Sequence, residues 1–222
     1  MYFIHKSPIF IVSFFVLIPV NLPATNEIEQ VFTQIYDQKI WGSDGQGNGS
    51  SGWGSMAKAA APYMNFLTHF LKQYNITSVV DVGCGDWSFS QYIDWTGISY
   101  VGYDVVSTVI ERNKKKFQQS NCIFIHGDAT KTELPSADLL LCKDVLQHLS
   151  NESIATFLKQ CDKFKYCLIT NDINKNANTN IADGLHRPLD LTKAPFFVPG
   201  TKIFTYMGAP EKEVLLIIQS TI

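Results

Sequence analysis

Short β-branched runs alternate with stretches of helical periodicity along this chain of 222 residues. Between Asn26 and Trp41, residues Ile28, Val31, Phe32, Ile35 and Tyr36 recur at helical spacing, which predicts an amphipathic helix capped by Asn26. Ala57 to Tyr74 repeats the pattern with Ala60, Met64, Leu67, Phe70 and Leu71, and Pro62 falls close to its first turns. Val79, Val80 and Val82 then form a run suited to a buried strand. Further strands are predicted at Ile98 to Val106, Asn121 to His126, Ala137 to Cys142 and Tyr166 to Thr170. Helices are predicted at Ser88 to Trp95, Thr108 to Phe117 and Glu152 to Lys163. This alternation predicts a parallel sheet with right-handed crossovers. The end differs: Lys202 to Tyr206 and Val214 to Gln219, joined by Met207 to Lys212, read as a hairpin. The Asn-, Pro- and Gly-rich stretch from Asn171 to Gly200 has no helical stripe and reads as a long loop.

Two stretches lie outside this rhythm. Residues 1–24 place His5 and Lys6 before an apolar run from Pro8 to Val20, with a possible cut after Ala24. That pattern reads as a cleaved secretory signal, with an uncleaved membrane anchor or a helix packed on the domain as alternatives. The protein is then exported or anchored, with membrane contact only through residues 1–24, or else cytoplasmic. Residues 42–55 are Gly-, Ser-, Asp- and Asn-rich, but Trp41 and Trp53 bracket them. A linker seldom carries two such anchors, so residues 25–55 read as a helix followed by a loop that orders over a ligand. Residues 56–222 form the main domain.

Composition narrows the function. A net charge of −2 argues against a nucleic-acid clamp. Of the five cysteines, Cys122, Cys142 and Cys167 sit in apolar runs, and no CxxC pair occurs, so buried inert thiols are expected and no metal site.

The candidate chemistry begins at Val80-Asp81-Val82-Gly83-Cys84-Gly85. Two glycines one residue apart let the chain turn tightly after a buried strand, the arrangement of a nucleoside-cofactor cradle. Ser88 stands where a dinucleotide fingerprint needs a third small residue, and no P-loop is present. Asp104 closes the second strand about twenty residues on, where an acid accepts hydrogen bonds from ribose hydroxyls. Asp128 and Ala129 follow the third strand, where an adenine edge would lie. Asp104 and Asp128 also fit helix caps, and Asp81 fits either a brace for the turn or a direct contact.

These residues, with Gly127-Asp128-Ala129 and Ala137 to Leu146, resemble the class I S-adenosylmethionine-dependent methyltransferases. More narrowly, Trp41-Gly42, Cys84-Gly85-Asp86-Trp87, Leu134 to Ser150 and Asn180 to Pro199 resemble a poorly characterised subgroup, with His186 where an aromatic is more usual. The resemblance implies a Rossmann-like α/β fold, a mostly parallel seven-stranded sheet with an antiparallel last strand and helices on both faces. It implies S-adenosyl-L-methionine as cofactor, with Gly83 and Gly85 at its methionine part, Asp104 at its ribose, and Asp128 with Ala129 at its adenine. Asp81 and Lys143 complete the expected cofactor site.

Methyl transfer needs an aligned nucleophile and, for a hydroxyl acceptor, somewhere for a proton to go. Asp144 and His148 share a face if the chain turns helically there, so His148 reads as a general base oriented by Asp144, or as a packed histidine. Arg187 reads as an anion clamp or a structural ion pair. Asp172 reads as a solvated loop acid, and Phe196 and Phe197 as loop anchors more than a pocket wall. The expected reaction is methyl transfer to a small-molecule, sugar or lipid-linked acceptor. The alternatives are a nicotinamide-dependent oxidoreductase or an inactive cofactor-binding module of the same fold.

Overall fold

The computed structural model describes residues 27–174, 178–208 and 210–218. The leader reading of residues 1–24 and the cap at Asn26 lie outside them. No helix among the described residues is long and apolar enough to cross a membrane.

Seven strands form one sheet: β1 Ser78–Val82, β2 Ser99–Asp104, β3 Cys122–His126, β4 Ala137–Lys143, β5 Phe164–Asp172, β6 Thr201–Met207 and β7 Glu211–Ile218. Their spatial order is β3-β2-β1-β4-β5-β7-β6. The pairs among β1 to β5 are parallel, whereas β7 runs antiparallel to both β5 and β6. This is the Rossmann-like class I methyltransferase fold expected from the sequence. The strand order reverses at β1 and β4, with β2 and β3 on one side and β5 on the other, the switch point where such sheets bind ligands.

The parallel strands are apolar on both faces because both are covered. Val79, Leu139 and Leu141 join a layer with Tyr63, Leu67 and Phe70 of helix α2 (Ala57–Gln73). Val80, Val82, Leu140 and Cys142 point the other way, into a layer with helix α1 (Glu27–Asp37) and helix α4 (Asn151–Leu158). Helix α3 (Ser107–Phe117) gives Val109 to one layer and Ile110 to the other. All five cysteines are buried and free.

Two predicted helices are shorter than their patterns. The periodicity over Ser88 to Trp95 ends in a single 3-10 turn at Ser90–Tyr92. Asp86 accepts from the backbone N–H and hydroxyl of Ser88, at 3.3 and 2.7 Å, a local bond that competes with helix formation. Trp87 is left-handed at φ 56° and drives its indole into the α2 layer. The glycine turn therefore leads into a loop, not a helix N-terminus. Helix α4 likewise stops at Leu158, and Cys161–Lys163 forms a separate 3-10 turn. Its start is fixed by Ser150, whose hydroxyl accepts from the N–H of Ser153.

Candidate active site

The carboxyl ends of β1, β2 and β4 open into one cleft, and α1 with the following loop covers it. Gly83 and Gly85 form its floor at φ 69° and 55°. A Cβ on Gly83 would lie 2.3 Å from Val145 Cγ2, and one on Gly85 would lie 2.3 Å from Ser51 Oγ. Both positions thus need glycine for conformation and for space.

Two buried carboxylates flank this turn. Asp104 accepts from the N–H of Gly85 at 3.0 Å and from that of Val106 at 2.9 Å. Burial pushes it up to about 6, and these two bonds pull in the opposite direction. Asp81 accepts from the Tyr100 hydroxyl at 2.6 Å, and Tyr100 in turn accepts from Trp87 Nε1 at 2.9 Å. Burial pushes Asp81 up to about 6 as well; the Tyr100 bond lowers it and the nearby charge of Asp104 raises it. Asp128 and Ala129 line the same cleft. Asp128 holds its own turn, accepting from the N–H and hydroxyl of Thr130 at 2.9 and 2.7 Å.

The loop between Trp41 and Trp53 is built, not slack. Asp44 accepts from the N–H groups of Gln46 and Asn48, and Ser43 bridges to Gly49. Ser51 ties the loop to the glycine turn: its hydroxyl lies 2.6 Å from the Tyr36 hydroxyl and accepts from the N–H of Asp86 at 2.7 Å. Its own N–H donates to Asp86 Oδ2 at 3.0 Å. Trp41 packs on Phe32, Tyr36 and His148, whereas Trp53 is 54% exposed.

Past β4, the structure departs from the expected Asp144–His148 pair. Asp144 is left-handed at φ 60°, so no helical turn carries both residues on one face. Its carboxylate accepts from Lys143 Nζ at 2.5 Å and from Lys212 Nζ at 2.9 Å. Those lysines hold it below the usual carboxylate range against the opposing effect of burial. Lys143 also donates to the Gly54 carbonyl at 3.1 Å, so the loop's far end rests on this ion pair. His148 is oriented instead by a backbone carbonyl: Nδ1 meets the Leu185 oxygen at 3.0 Å. Burial lowers His148 to about 4, the Leu185 contact opposing it. The ring is therefore neutral at pH 7, and with Nδ1–H given to Leu185, Nε2 is left as an acceptor. Lys143, Asp144 and His148 all line the cleft.

Arg187 does not line it. The guanidinium is buried and donates to the Leu146 carbonyl at 2.9 Å and to Asn151 Oδ1 at 3.2 Å, and burial lowers it to about 10. It braces the late loop against the turn after β4, and the anion-clamp reading is corrected accordingly. Asp172 is not solvated either. It is 3% exposed and accepts from Lys212 through Oδ1, while Oδ2 lies 2.8 Å from His186 Nε2. Phe196 packs on the α1 layer, and Phe197 is 70% exposed. Lys212 and the Ser51–Tyr36 pair were missed from the sequence. Lys212 falls in the stretch read as the connection between the two hairpin arms, whereas β7 begins at Glu211, and nothing local marks its burial.

A family model described as a methyltransferase domain matches residues 80–164. Curated proteins gave no sequence match. Among solved structures, the chain is similar to magnesium protoporphyrin IX methyltransferase from Synechocystis PCC 6803 with bound SAM. That likeness has TM-score 0.61 and 15% identity, and covers 90% of this chain and 100% of that one. Human N-acetylserotonin methyltransferase in complex with SAM aligns at TM-score 0.52 and 14% identity, over 72% of this chain and 55% of that one. An O-methyltransferase-like protein of Nostoc punctiforme PCC 73102 aligns at TM-score 0.56 and 13% identity, over 72% and 57%. At these identities the structures speak for the fold, and the family model speaks for the domain. Residues 80–164 thus match a methyltransferase domain, and the chain carries it on the fold that these methyltransferase structures share.

Proposed function

We propose that the cleft binds S-adenosylmethionine across the glycine turn and directs its methyl group to a small-molecule, sugar or lipid-linked acceptor. The observation that carries this reading is the pair of buried acids, Asp81 and Asp104, beside a bare glycine backbone. Both are pushed up to about 6, so a cation in the cleft draws them into the ionised form. The donor is a sulfonium cation with ribose hydroxyls, and the residues present fit it. Asp104 keeps one lone pair on each oxygen for the ribose hydroxyls. Gly83 and Gly85 allow close approach of the methionine part, with Asp81 and Lys143 beside them. Asp128 and Ala129 face the adenine.

When bound, the cofactor supplies an electrophilic methyl group; the chain's own residues align the acceptor and exclude water. Trp41, Tyr36 and Ser51 close the cleft over the glycine turn. His148 presents a neutral imidazole nitrogen to the acceptor side and serves as its base. A small-molecule acceptor is favoured by analogy with the porphyrin and N-acetylserotonin enzymes, whose names state such substrates. A dinucleotide is disfavoured because no helix N-terminus follows the turn to receive a pyrophosphate. Residues 1–24 form a leader or anchor in this proposal, and sequencing the mature N-terminus tests that.

The test is labelled methyl transfer from S-adenosylmethionine into fractionated cell extract, followed by product identification. A labelled small molecule, glycan or lipid supports the reading. Label appearing only in protein or nucleic acid refutes the acceptor class.

A further inference from the structure

Five of the ten large apolar side chains that stand exposed among the described residues adjoin the mouth of the cleft. Ile40, Trp53, Met56, Leu185 and Met207 are each more than half exposed. Ile40 precedes Trp41, while Trp53 and Met56 flank Ser55, and both Trp41 and Ser55 line the cleft. The Leu185 carbonyl holds His148, a third lining residue. Met207 and Trp53 are brought together over one lysine stem. A Cβ on Gly54 would lie 3.6 Å from Lys212 Cε, and one on Gly208 would lie 2.8 Å from it. Lys212 in turn donates to Asp144, which lines the cleft as well.

We infer that this apolar rim rests on a lipid bilayer, and that the acceptor is a lipid drawn from the bilayer through the mouth. The inference rests on the methyltransferase reading above and narrows it to one acceptor class. Membrane contact then extends beyond residues 1–24.

Apolar side chains scattered singly need no explanation, but a rim set about an opening does. A protein partner covering all five would also close the opening, whereas a bilayer covers the rim and feeds the opening. The chain itself brings a bilayer near. In the sequence, the apolar run from Pro8 to Val20 stands just ahead of α1, and Ile28 in the first turn of α1 lines the cleft. The seven steps from Val20 to Glu27 span at most about 25 Å, so a run held in a bilayer keeps the mouth within reach of its surface. The rim's chemistry suits that surface. An indole such as that of Trp53 settles at headgroup depth, and the thioethers of Met56 and Met207 adapt to uneven acyl chains. The polar head of the acceptor enters past Ser55 toward Lys143 and Asp144, and its acyl part stays outside among Trp53, Met56 and Met207.

Fluorescence of the full chain on dioleoylphosphatidylcholine vesicles, with and without bromine on the acyl chains, tests the docking without any acceptor. Trp87 and Trp95 are buried and Trp41 packs on Phe32, Tyr36 and His148, so Trp53 is the indole placed to meet lipid. The expected result is quenching by the brominated lipid that Trp53→Phe abolishes. Met56→Ser combined with Met207→Ser should weaken it, and Ile218→Ser, at the far end of β7 opposite Tyr166, should not. No quenching, quenching that survives Trp53→Phe, or quenching that the paired methionine variant leaves unchanged overturns the inference. Labelled transfer from S-adenosylmethionine into a total cell lipid extract dispersed as vesicles, beside the water-soluble fraction of the same cells, supplies the second readout. Label in the lipid supports the inference. With S-adenosylmethionine bound in calorimetry, label confined to the water-soluble fraction, or absent from both, overturns the acceptor class. Failure of the unaltered chain to bind S-adenosylmethionine sinks the underlying reading instead, and the quenching still decides whether the rim meets a bilayer.

Discussion

Lys212 of β7 lies 2.9 Å from Asp144, which follows β4 and precedes it by 68 residues. Through this contact the antiparallel strand reaches back under the site. Lys143, Asp144, Lys212, Asp172 and His186 form one line of alternating charge-bearing groups across the ends of β4, β5 and β7. Lys212 has a side chain 5% exposed between two carboxylates, so removing it leaves Asp144 with Lys143 and Asp172 with His186 and takes away the cation they share. Lys212→Met should cost about 3–5 kcal/mol, the usual penalty for breaking a buried pair from one side. Lys114→Ala, which breaks the solvent-screened pair with Glu111, should leave the unfolding midpoint unchanged. Urea unfolding of the two variants checks the contrast.

The glycine turn separates conformation from space. Gly83→Ala meets Val145 and a left-handed φ of 69°, whereas Gly97→Ala meets the same kind of φ, 76°, in open space. Each should lose about 1–2 kcal/mol of stability from backbone strain. Only Gly83→Ala should also weaken S-adenosylmethionine binding, by at least about tenfold, because the displaced Val145 lines the cleft. Equal cofactor affinity in both variants would place the ligand elsewhere.

Binding should depend on pH with a definite sign. Asp81 and Asp104 are raised to about 6, and a bound cation favours their ionised forms. Affinity for S-adenosylmethionine should therefore be full above pH 7 and fall as pH drops through 6. Folding stability is a poorer readout, because the linkages oppose one another. The raised acids bind more protons folded than unfolded, so between about 4 and 6 they lower stability as pH rises. His148, depressed to about 4, binds fewer protons folded, so it raises stability over about 4 to 6.5. Calorimetric titrations at pH 5.5 and 7.5 isolate the binding term, and an affinity that is flat or stronger at pH 5.5 contradicts it.

Ser51 joins the covering loop to both α1 and the glycine turn. Ser51→Ala should loosen that closure and leave the core intact. The expected outcome is a KM for cofactor raised about three- to tenfold, matching one or two lost hydrogen bonds, with a modestly lowered unfolding midpoint. An unaltered KM would make the contact purely structural.

The fold was legible in the sequence wherever burial is local. Val79 and Val80 alternate between two apolar layers, and Asp104 ends its strand because the strand itself ends there. The glycine turn, Asp81 and Asp104 followed from that framework. What the sequence hid depends on contacts between distant segments. The helix expected over Ser88 to Trp95 yields to Asp86 bonding Ser88 and to Trp87 burying its ring. Periodicity weighs apolar positions and not such local competition. Asp144 was paired with His148 because they are four apart. The structure pairs it with Lys212, which no spacing rule connects to it. Arg187 sits in the late loop and Asp172 closes β5, both in a stretch whose composition reads as a solvated loop, yet both are buried against the turn after β4.

The most direct measurement of the central claim is calorimetric titration of the full chain with S-adenosylmethionine and, separately, with NAD, repeated on Asp104→Ala. One site for S-adenosylmethionine, no binding of NAD, and an affinity loss of at least about tenfold in the variant are expected, the last being the worth of a charge-assisted bond to a ribose hydroxyl. Binding of NAD without S-adenosylmethionine, or undiminished S-adenosylmethionine affinity in Asp104→Ala, would contradict it.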